Sequence, residues 1–386
     1  MSNLPKGWEE VLVENVFDNI GGTSLEKFVN ENGKYKFISI GNYSKSGKYI
    51  DNSQRIDINE KSANKILNKN DLVMVLNDKT STGDIIGSSI LIEESDKYIY
   101  NQRSERLICK NNIYPKFAWQ LLNSKYFRKK IVSLSQGGTQ IYINFPVIKK
   151  INFYLPPIEE QKKIADILST VDKKIAFVEE NINATEELKK GLMQKLLTEG
   201  IGHTEFKDSE LGRIPESWEV GKIMDILTIK YGKSQKEVEN PNGDYPILGS
   251  GGLMGYANSY LYDKPSVLIG RKGTIDKPQY IEKPFWTVDT LFYSDIKLDN
   301  LPLFVYYLFL TIDWRKYNEA SGVPSLSVNN IHNIKIFIPP LEEQKQIAEI
   351  LSTVDKKLEN LKEKKQSFEE LKKGLMQKLL TGEVRV

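Results

Sequence analysis

The chain has 386 residues, 54 Lys and Arg against 51 Asp and Glu, and a formal net charge of +3, so its overall field neither demands nor forbids a polyanionic partner. One cysteine, Cys109, excludes an internal disulfide and a thiolate zinc cluster, and two isolated histidines, His203 and His332, leave little for a metal centre; they read as a core thiol and two surface imidazoles. At this length the chain has room for two or three domains, each able to bury its own core.

The opening "MSNLPKGWEE" has no basic region followed by an apolar stretch, so no secretory signal is visible and a cytoplasmic location is expected. Residues 1–155 form a first segment with 22 basic and 16 acidic side chains, the one clearly basic part of the chain. Short β-rich runs such as "KYKFISI" and "DLVMVL" alternate there with Gly, Asn and Asp turns, and one helix is predicted near Lys116 to Ile131. The segment closes on alternating apolar residues, "VIKKINFYLPP".

Residues 156–200 read as a long helix. In "PPIEEQKKIADILSTVDKKI" two prolines stop the preceding strand and acidic residues fill the first turn, where they complement the helix dipole. Apolar residues at Ile164, Leu168, Val171, Ile175, Val178 and Ile182 make a heptad seam, which then shifts to Leu188, Leu192 and Leu196.

Residues 201–338 carry 15 basic and 17 acidic side chains, so a phosphate-binding role there requires a local patch. The segment repeats the first in outline. "IPESWEVGKIMDIL" matches "LPKGWEEVLVENVF" in its Pro and Trp pair, "IHNIKIFIPP" matches the earlier closing strand, and one helix is predicted near Leu301 to Tyr317. Its densest apolar run, "LPLFVYYLFL", is half the length of a membrane span of about 20 residues and reads as a buried helix. "GSGGLMGYA" (Gly249 to Ala257) lacks dinucleotide-loop spacing and reads as a tight loop.

Residues 339–386 repeat the helix. Sliding the chain by 183 positions aligns Leu155–Thr198 with Ile338–Thr381 without a gap, and 30 of 44 positions are identical, including "EELKKGLMQKLLT" in full. The second seam runs Ile347, Leu351, Val354, Leu358 and Leu361, then Leu371, Leu375 and Leu379. A single-seam helix of about 40 residues, roughly 60 Å long, needs a partner, and the two copies are natural partners. If the intervening domain is compact with its termini close together, they run antiparallel. The predicted fold class is therefore α+β: two mixed α/β heads joined by a long antiparallel two-helix coiled coil, an internal pseudo-twofold repeat.

The order of head, "PPxEEQ" helix, head, "PPxEEQ" helix, with the connector "FKDSELGRIPESWEV" (Phe206 to Val220), resembles the DNA-specificity subunit of type I restriction-modification enzymes over essentially the whole chain. The helix block and connector carry most of the resemblance; the heads match through pieces such as "GRKGTI". The resemblance implies a prokaryotic protein with two target-recognition domains, each reading one half of a split DNA sequence, and paired helices acting as a spacer. It also implies two modification subunits, which bind S-adenosylmethionine and methylate adenine, and two restriction subunits driven by ATP and Mg. No cofactor is expected on this chain.

The residues agree with a non-catalytic role. There is no glycine turn with an Asn/Asp-Pro-Pro-aromatic loop and no G-x-x-x-x-G-K-[ST] sequence, and dipole complementation is a sufficient reading of Glu159/Glu160 and Glu342/Glu343. Two alternatives fit less of the chain: a coiled-coil scaffold without DNA recognition leaves two folded heads unexplained, and the recognition module of a fused methyltransferase needs cofactor motifs that this sequence lacks.

Base edges and phosphates are contacted by Arg, Lys, Asn, Gln and hydroxyls on loops that bring backbone close. In the first head the candidates are Asn77, Lys79, Thr80 and Ser81 in "LNDKTSTGD", Asn101, Gln102 and Arg103 in "YNQRSER", and Gln136, Thr139, Gln140, Tyr142 and Asn144 in "SQGGTQIYIN". In the second they are Ser250 in "LGSGG", Arg271, Lys272 and Thr274 in "IGRKGT", and Ser325 and Ser327 in "SGVPSLSVNN". Arg271 and Lys272 stand out because they follow a strand-like run and sit between Gly270 and Gly273.

Overall fold

A computed structural model describes residues 5–386. It divides into two compact units, Met1–Glu179 with Lys364–Val386, and Glu180–Glu363. The long helices, Ile158–Leu196 and Leu341–Leu380, each contribute one half to each unit.

In the first unit a central antiparallel sheet orders the strands Phe17–Gly21, Ser104–Cys109, Leu72–Val75 and Ser89–Leu91. Leu72–Val75 is buried at every position, which accounts for its continuous apolar run. A second sheet orders Val29–Asn30, Arg55–Ile56, Tyr35–Ile38 and Tyr98–Tyr100, the last two parallel. The second unit repeats the central sheet with Leu227–Tyr231, Leu291–Ile296, Ser266–Gly270 and Gln279–Ile281. It repeats the core of the other sheet with Gly252–Ala257, Tyr245–Gly249 and Trp286–Thr287, again with one parallel pairing. The heads thus share a topology that their sequences show only at the ends.

Each single helix predicted in a head is interrupted. Near Lys116–Ile131 there are two, Pro115–Leu122 and Lys125–Leu134. The break falls where the Asn123 amide donates to the Trp119 and Ser89 carbonyls and Ser124 caps the next helix by accepting from the Phe127 amide. The helix expected over Leu301–Tyr317 runs Pro302–Thr311 and continues only as a 3-10 turn, Trp314–Tyr317. The Trp314 indole donates to the Phe309 carbonyl at 2.9 Å, taking the acceptor that a continuing helix would use.

The helix halves run antiparallel within each unit. In the first, Asp172 pairs with Lys372 and Glu179 with Lys365; in the second, Glu186 pairs with Lys362 and Lys189 with Asp355. All six seam residues from Ile164 to Ile182 are buried. The seam does not shift afterwards, as the apolar pattern suggests, but keeps its spacing through Thr185, Lys189 and Leu192 to Leu196. Leu188 and Leu371 are left 51% and 49% exposed. The reason is the lysine at the next position: Lys189 and Lys372 take the seam positions, largely buried, with their ammonium groups over the rings of Tyr307 and Trp119 and paired with Asp355 and Asp172.

The helix starts do more than complement a dipole. Glu160 is buried and accepts from the Trp8 indole at 3.2 Å and from Arg385 in a two-pronged pair at 2.7 and 2.8 Å. Burial alone would raise its pKa, but Arg385 and Trp8 outweigh burial and lower it. Its counterpart Glu343 accepts from the Trp218 indole at 2.7 Å, from His203 at 2.8 Å and from the Ile201 amide at 2.9 Å. This explains the Pro and Trp pair: Trp8 and Trp218 donate their backbone amides to Pro5 and Pro215 and their indoles to a helix start.

Neither histidine is a free surface imidazole. Besides His203 on Glu343, His332 Nε2 accepts from the Ile229 amide at 3.0 Å. Cys109 is only partly buried. Among the described residues no group of three metal-ligating side chains occurs, and no helix is long and apolar enough to cross a membrane.

Candidate nucleic-acid interface

In the first head the three candidate segments meet at one end of the central sheet. The Leu76 amide donates to the Arg103 carbonyl at 2.8 Å, and the Ile143 amide donates to the Leu76 carbonyl at 2.9 Å. A three-stranded ribbon of Gln136–Gly137, Ile141–Tyr142 and Asn77–Asp78 joins two of the segments directly, with Asn77 and Gln136 both opposite Tyr142. Strand Leu72–Val75 lies beside strand Ser104–Cys109, so the loops that follow one and precede the other emerge together.

The loop after Asn77 is held from both sides. The Asp78 carboxylate accepts from the Thr80 amide at 3.0 Å, the Thr80 hydroxyl at 2.9 Å, and the Ile85 and Ile86 amides at 2.7 and 3.3 Å. Burial pushes the Asp78 pKa up, yet these bonds prevail and hold it below the usual value. Arg128 donates to the Asp84 carbonyl at 3.0 Å, and its own burial lowers its pKa to about 10. Lys79, Thr80 and Ser81 are thereby presented, exposed, on a fixed turn.

The other first-head candidates divide by environment. Gln102, Arg103, Gln136, Thr139, Gln140, Tyr142 and Asn144 are exposed. Asn101 is buried, donates to Glu26 at 3.0 Å and accepts from the Arg103 amide at 3.1 Å, so it shapes the turn that carries Gln102 and Arg103.

The second head builds the equivalent place. Arg271 and Lys272 donate their backbone amides to the Thr290 carbonyl at 2.9 and 3.2 Å, Leu326 donates to the Arg271 carbonyl at 2.9 Å, and Gly273 donates to the Pro324 carbonyl at 2.9 Å. Lys272 and Ser325 form an isolated antiparallel bridge. The two glycines of "GRKG" are required by space and conformation: a Cβ on Gly270 would lie 2.0 Å from the Thr274 carbonyl oxygen, and Gly273 has φ +86°. Ser250 is adjacent, with its Oγ 3.4 Å from where a Cβ on Gly273 would stand.

Arg271 is oriented by two neighbours. Its guanidinium lies 5.3 Å from the Tyr231 ring centroid, and Nη1 donates to the Asp289 carbonyl at 3.3 Å. Lys272 is exposed and Thr274 partly so. Ser327 caps the short helix Val328–His332, accepting from the Asn330 amide and donating to Glu319 at 2.7 Å.

Sequence reasoning missed several residues here. In the second head they are Tyr231, Asp289 and Thr290, the last two in the position that Gln102 and Arg103 hold in the first. In the first head, Ser39, Asn52 and Gln54 form a polar cluster beyond strand Tyr35–Ile38, with the Ser39 hydroxyl and the Asn52 side-chain amide donating to Gln54 Oε1 at 3.3 and 3.1 Å. The available signal was the match of "FISIGNY" with "PILGSGGL", each an apolar strand-like run that reaches a glycine.

The model of the type I restriction modification DNA specificity domain matches the chain twice, over residues 5–187 and 215–370. The chain is 29% identical to the type I restriction enzyme MjaVIII specificity subunit of Methanocaldococcus jannaschii, over 99% of this chain and 94% of that one. It is 32% identical to the putative MjaX specificity subunit of the same organism, over 79% of each. In structure it resembles the type I restriction-modification S subunit from M. genitalium, with TM-score 0.68 and 19% identity over 98% of this chain and 97% of that one. It also resembles a chain from a study of complex assembly and conformational transition of the type I R-M system, with TM-score 0.60 and 16% identity over the whole of both.

Proposed function

Because the chain belongs to the type I restriction modification DNA specificity family, we propose that it reads a split, asymmetric double-stranded DNA target, one half-site per head, as the non-catalytic specificity subunit of a restriction-modification complex. One observation carries this reading: in each head, loops far apart in sequence arrive at one end of the central sheet and present polar side chains there, Lys79, Thr80, Gln102 and Arg103 exposed in the first, and Lys272 exposed with Arg271, Thr274 and Ser325 partly so in the second. Those are the groups that grip phosphates and read base edges. The heads differ in these loops, so the half-sites differ.

Two modification subunits occupy the duplicated helix block in this reading. The support is its outward face, where Leu188 and Leu371 stand exposed at equivalent positions, and Gly191 and Gly374 have nothing within 4 Å of where a Cβ would be. An identical sequence exposing the same apolar residue twice suits two copies of one partner. Those subunits would supply S-adenosylmethionine and adenine methylation, and two restriction subunits would supply ATP and Mg chemistry.

Methylation-sensitive sequencing of cells expressing the complex tests the reading. The expected motif is two different half-sites of about 3 to 5 base pairs separated by unread bases, each base pair read worth about 1 to 3 kcal/mol. Exchanging residues 1–155 for the head of a relative should change one half only. A perfect palindrome, or a motif unaltered by the exchange, would overturn it.

A further inference from the structure

The second head exposes apolar side chains where its cations stand. Strands Tyr245–Gly249 and Gly252–Ala257 form an antiparallel hairpin closed by Ser250 and Gly251, and Gly252–Ala257 is the edge of its sheet. Leu253 is 58% exposed and Met254 59%. Leu253 stands opposite Leu248, and Met254, the extra residue of a bulge, has no partner across the pair, so the hairpin carries two adjacent apolar side chains bare to solvent. A register shift between Ile247 and Leu248 adds local twist, as bulges do where a strand re-aims side chains.

The neighbours of this tip belong to the candidate interface. Ser250 abuts Gly273, the residue after Arg271 and Lys272. Met254 folds its thioether over Gly249, beside Val288. The Val288 amide donates to the Leu248 carbonyl at 3.1 Å, and the next two residues, Asp289 and Thr290, supply the carbonyls that hold Arg271. Gly251 and Gly252 have nothing within 4 Å of where a Cβ would lie, and Gly252 takes φ +108°, so the tip is a slim ribbon of backbone.

We infer that this hairpin enters the major groove of the second half-site and that Leu253 and Met254 read thymine through its C5-methyl group. The inference rests on the DNA-reading role proposed above. The major groove admits a two-stranded β-ribbon, and the thymine methyl is the apolar group displayed on a base edge there. Lys272 beside the tip draws the phosphate backbone towards it, and Arg271 next to it adds positive charge that suits a polyanion.

The test uses the full chain assembled with its modification subunits and the duplex identified by methylation sequencing. Affinity is measured on that duplex, on one with deoxyuridine replacing thymine in the second half-site, and on one with the same replacement in the first. Wild type should lose about three- to tenfold on the second-half-site replacement, the scale of one lost methyl contact. Leu253→Ala or Met254→Ala should lose a similar factor on the thymine duplex and little more on the deoxyuridine duplex. Losses equal on both duplexes, an indifferent wild type, or a second half-site without an A·T pair would each overturn the inference. So would a variant that fails to assemble while its DNA contacts are unaltered, which would make the hairpin a protein interface. If wild type does not prefer its target to a scrambled duplex, the recognition role itself has failed, which is a distinguishable result.

Discussion

Asp172 and Lys372 form an ion pair at 2.8 Å between the two long helices of the first unit, and the Asp172 carboxylate also accepts from Gln120 of the head at 2.8 Å. Advancing Asp172 by 183 positions gives Asp355, and moving Lys372 back by 183 gives Lys189. These pair at 2.5 Å in the second unit, with Tyr307 donating to Asp355 at 2.8 Å. One sequence repeat thus makes the same junction of head and two helices twice, with the donor from the head changed from an amide to a phenol.

That junction is partly buried, so its charges are worth more than surface pairs. Lys372→Ala should destabilise the first unit by about 1 to 3 kcal/mol, the cost of stranding a half-buried carboxylate. The exchange Asp172→Lys with Lys372→Asp should recover part of that loss. Urea denaturation of the four members of the double-mutant cycle measures the coupling, and strict additivity would show that the pair contributes nothing.

Asp78 makes a prediction in pH. Its pKa is lowered in the folded chain, so the order it gives the loop over residues 79–86 is present above the ordinary aspartate value of 3.8 and is lost as pH falls through the lower, folded value. Hydrogen exchange at the Ile85 and Ile86 amides should accelerate below that point. Asp78→Asn should show fast exchange already at neutral pH and should blur the first half-site while leaving the second intact.

Arg271 and Lys272 separate base reading from phosphate binding. Arg271→Ala should cost about 1 to 3 kcal/mol and relax one position of the second half-site, whereas Lys272→Ala should weaken all sequences alike and reduce the salt slope by about one unit. Since the Tyr231 ring orients the guanidinium, Tyr231→Ala should reproduce part of the Arg271→Ala loss of specificity. Binding titrations at several salt concentrations distinguish these outcomes.

His332 acts as an acceptor, which requires a neutral ring at Nε2. Burial lowers its pKa from 6.5, so its contribution is complete above that value and is lost as pH falls through the lower, folded one. Thermal stability of the protein should therefore fall between neutral pH and about pH 5. His332→Phe should start lower and lose this part of the pH dependence.

The sequence by itself determined the duplicated helices, their seam as far as Ile182, the two heads and the family. Helical period and internal repetition are properties of neighbouring residues, and thirty identities at a fixed offset leave one reading. The tertiary structure decided what depends on residues far apart in the chain. Leu188 fits an apolar pattern, yet it is left outside because Asp355 and Tyr307 draw Lys189 into the seam. Glu160 fits a dipole argument, yet its partners are Trp8 and Arg385, 152 and 225 positions away. Asn101 has the composition of a contact residue, and the approach of Glu26 turns it inward. Arg271, Thr290 and Leu326 become neighbours only because strand order brings their loops to one sheet end. Local sequence specifies which segments are strands; the order in which they pair follows from burying their apolar faces together, and that order is what assembles the site.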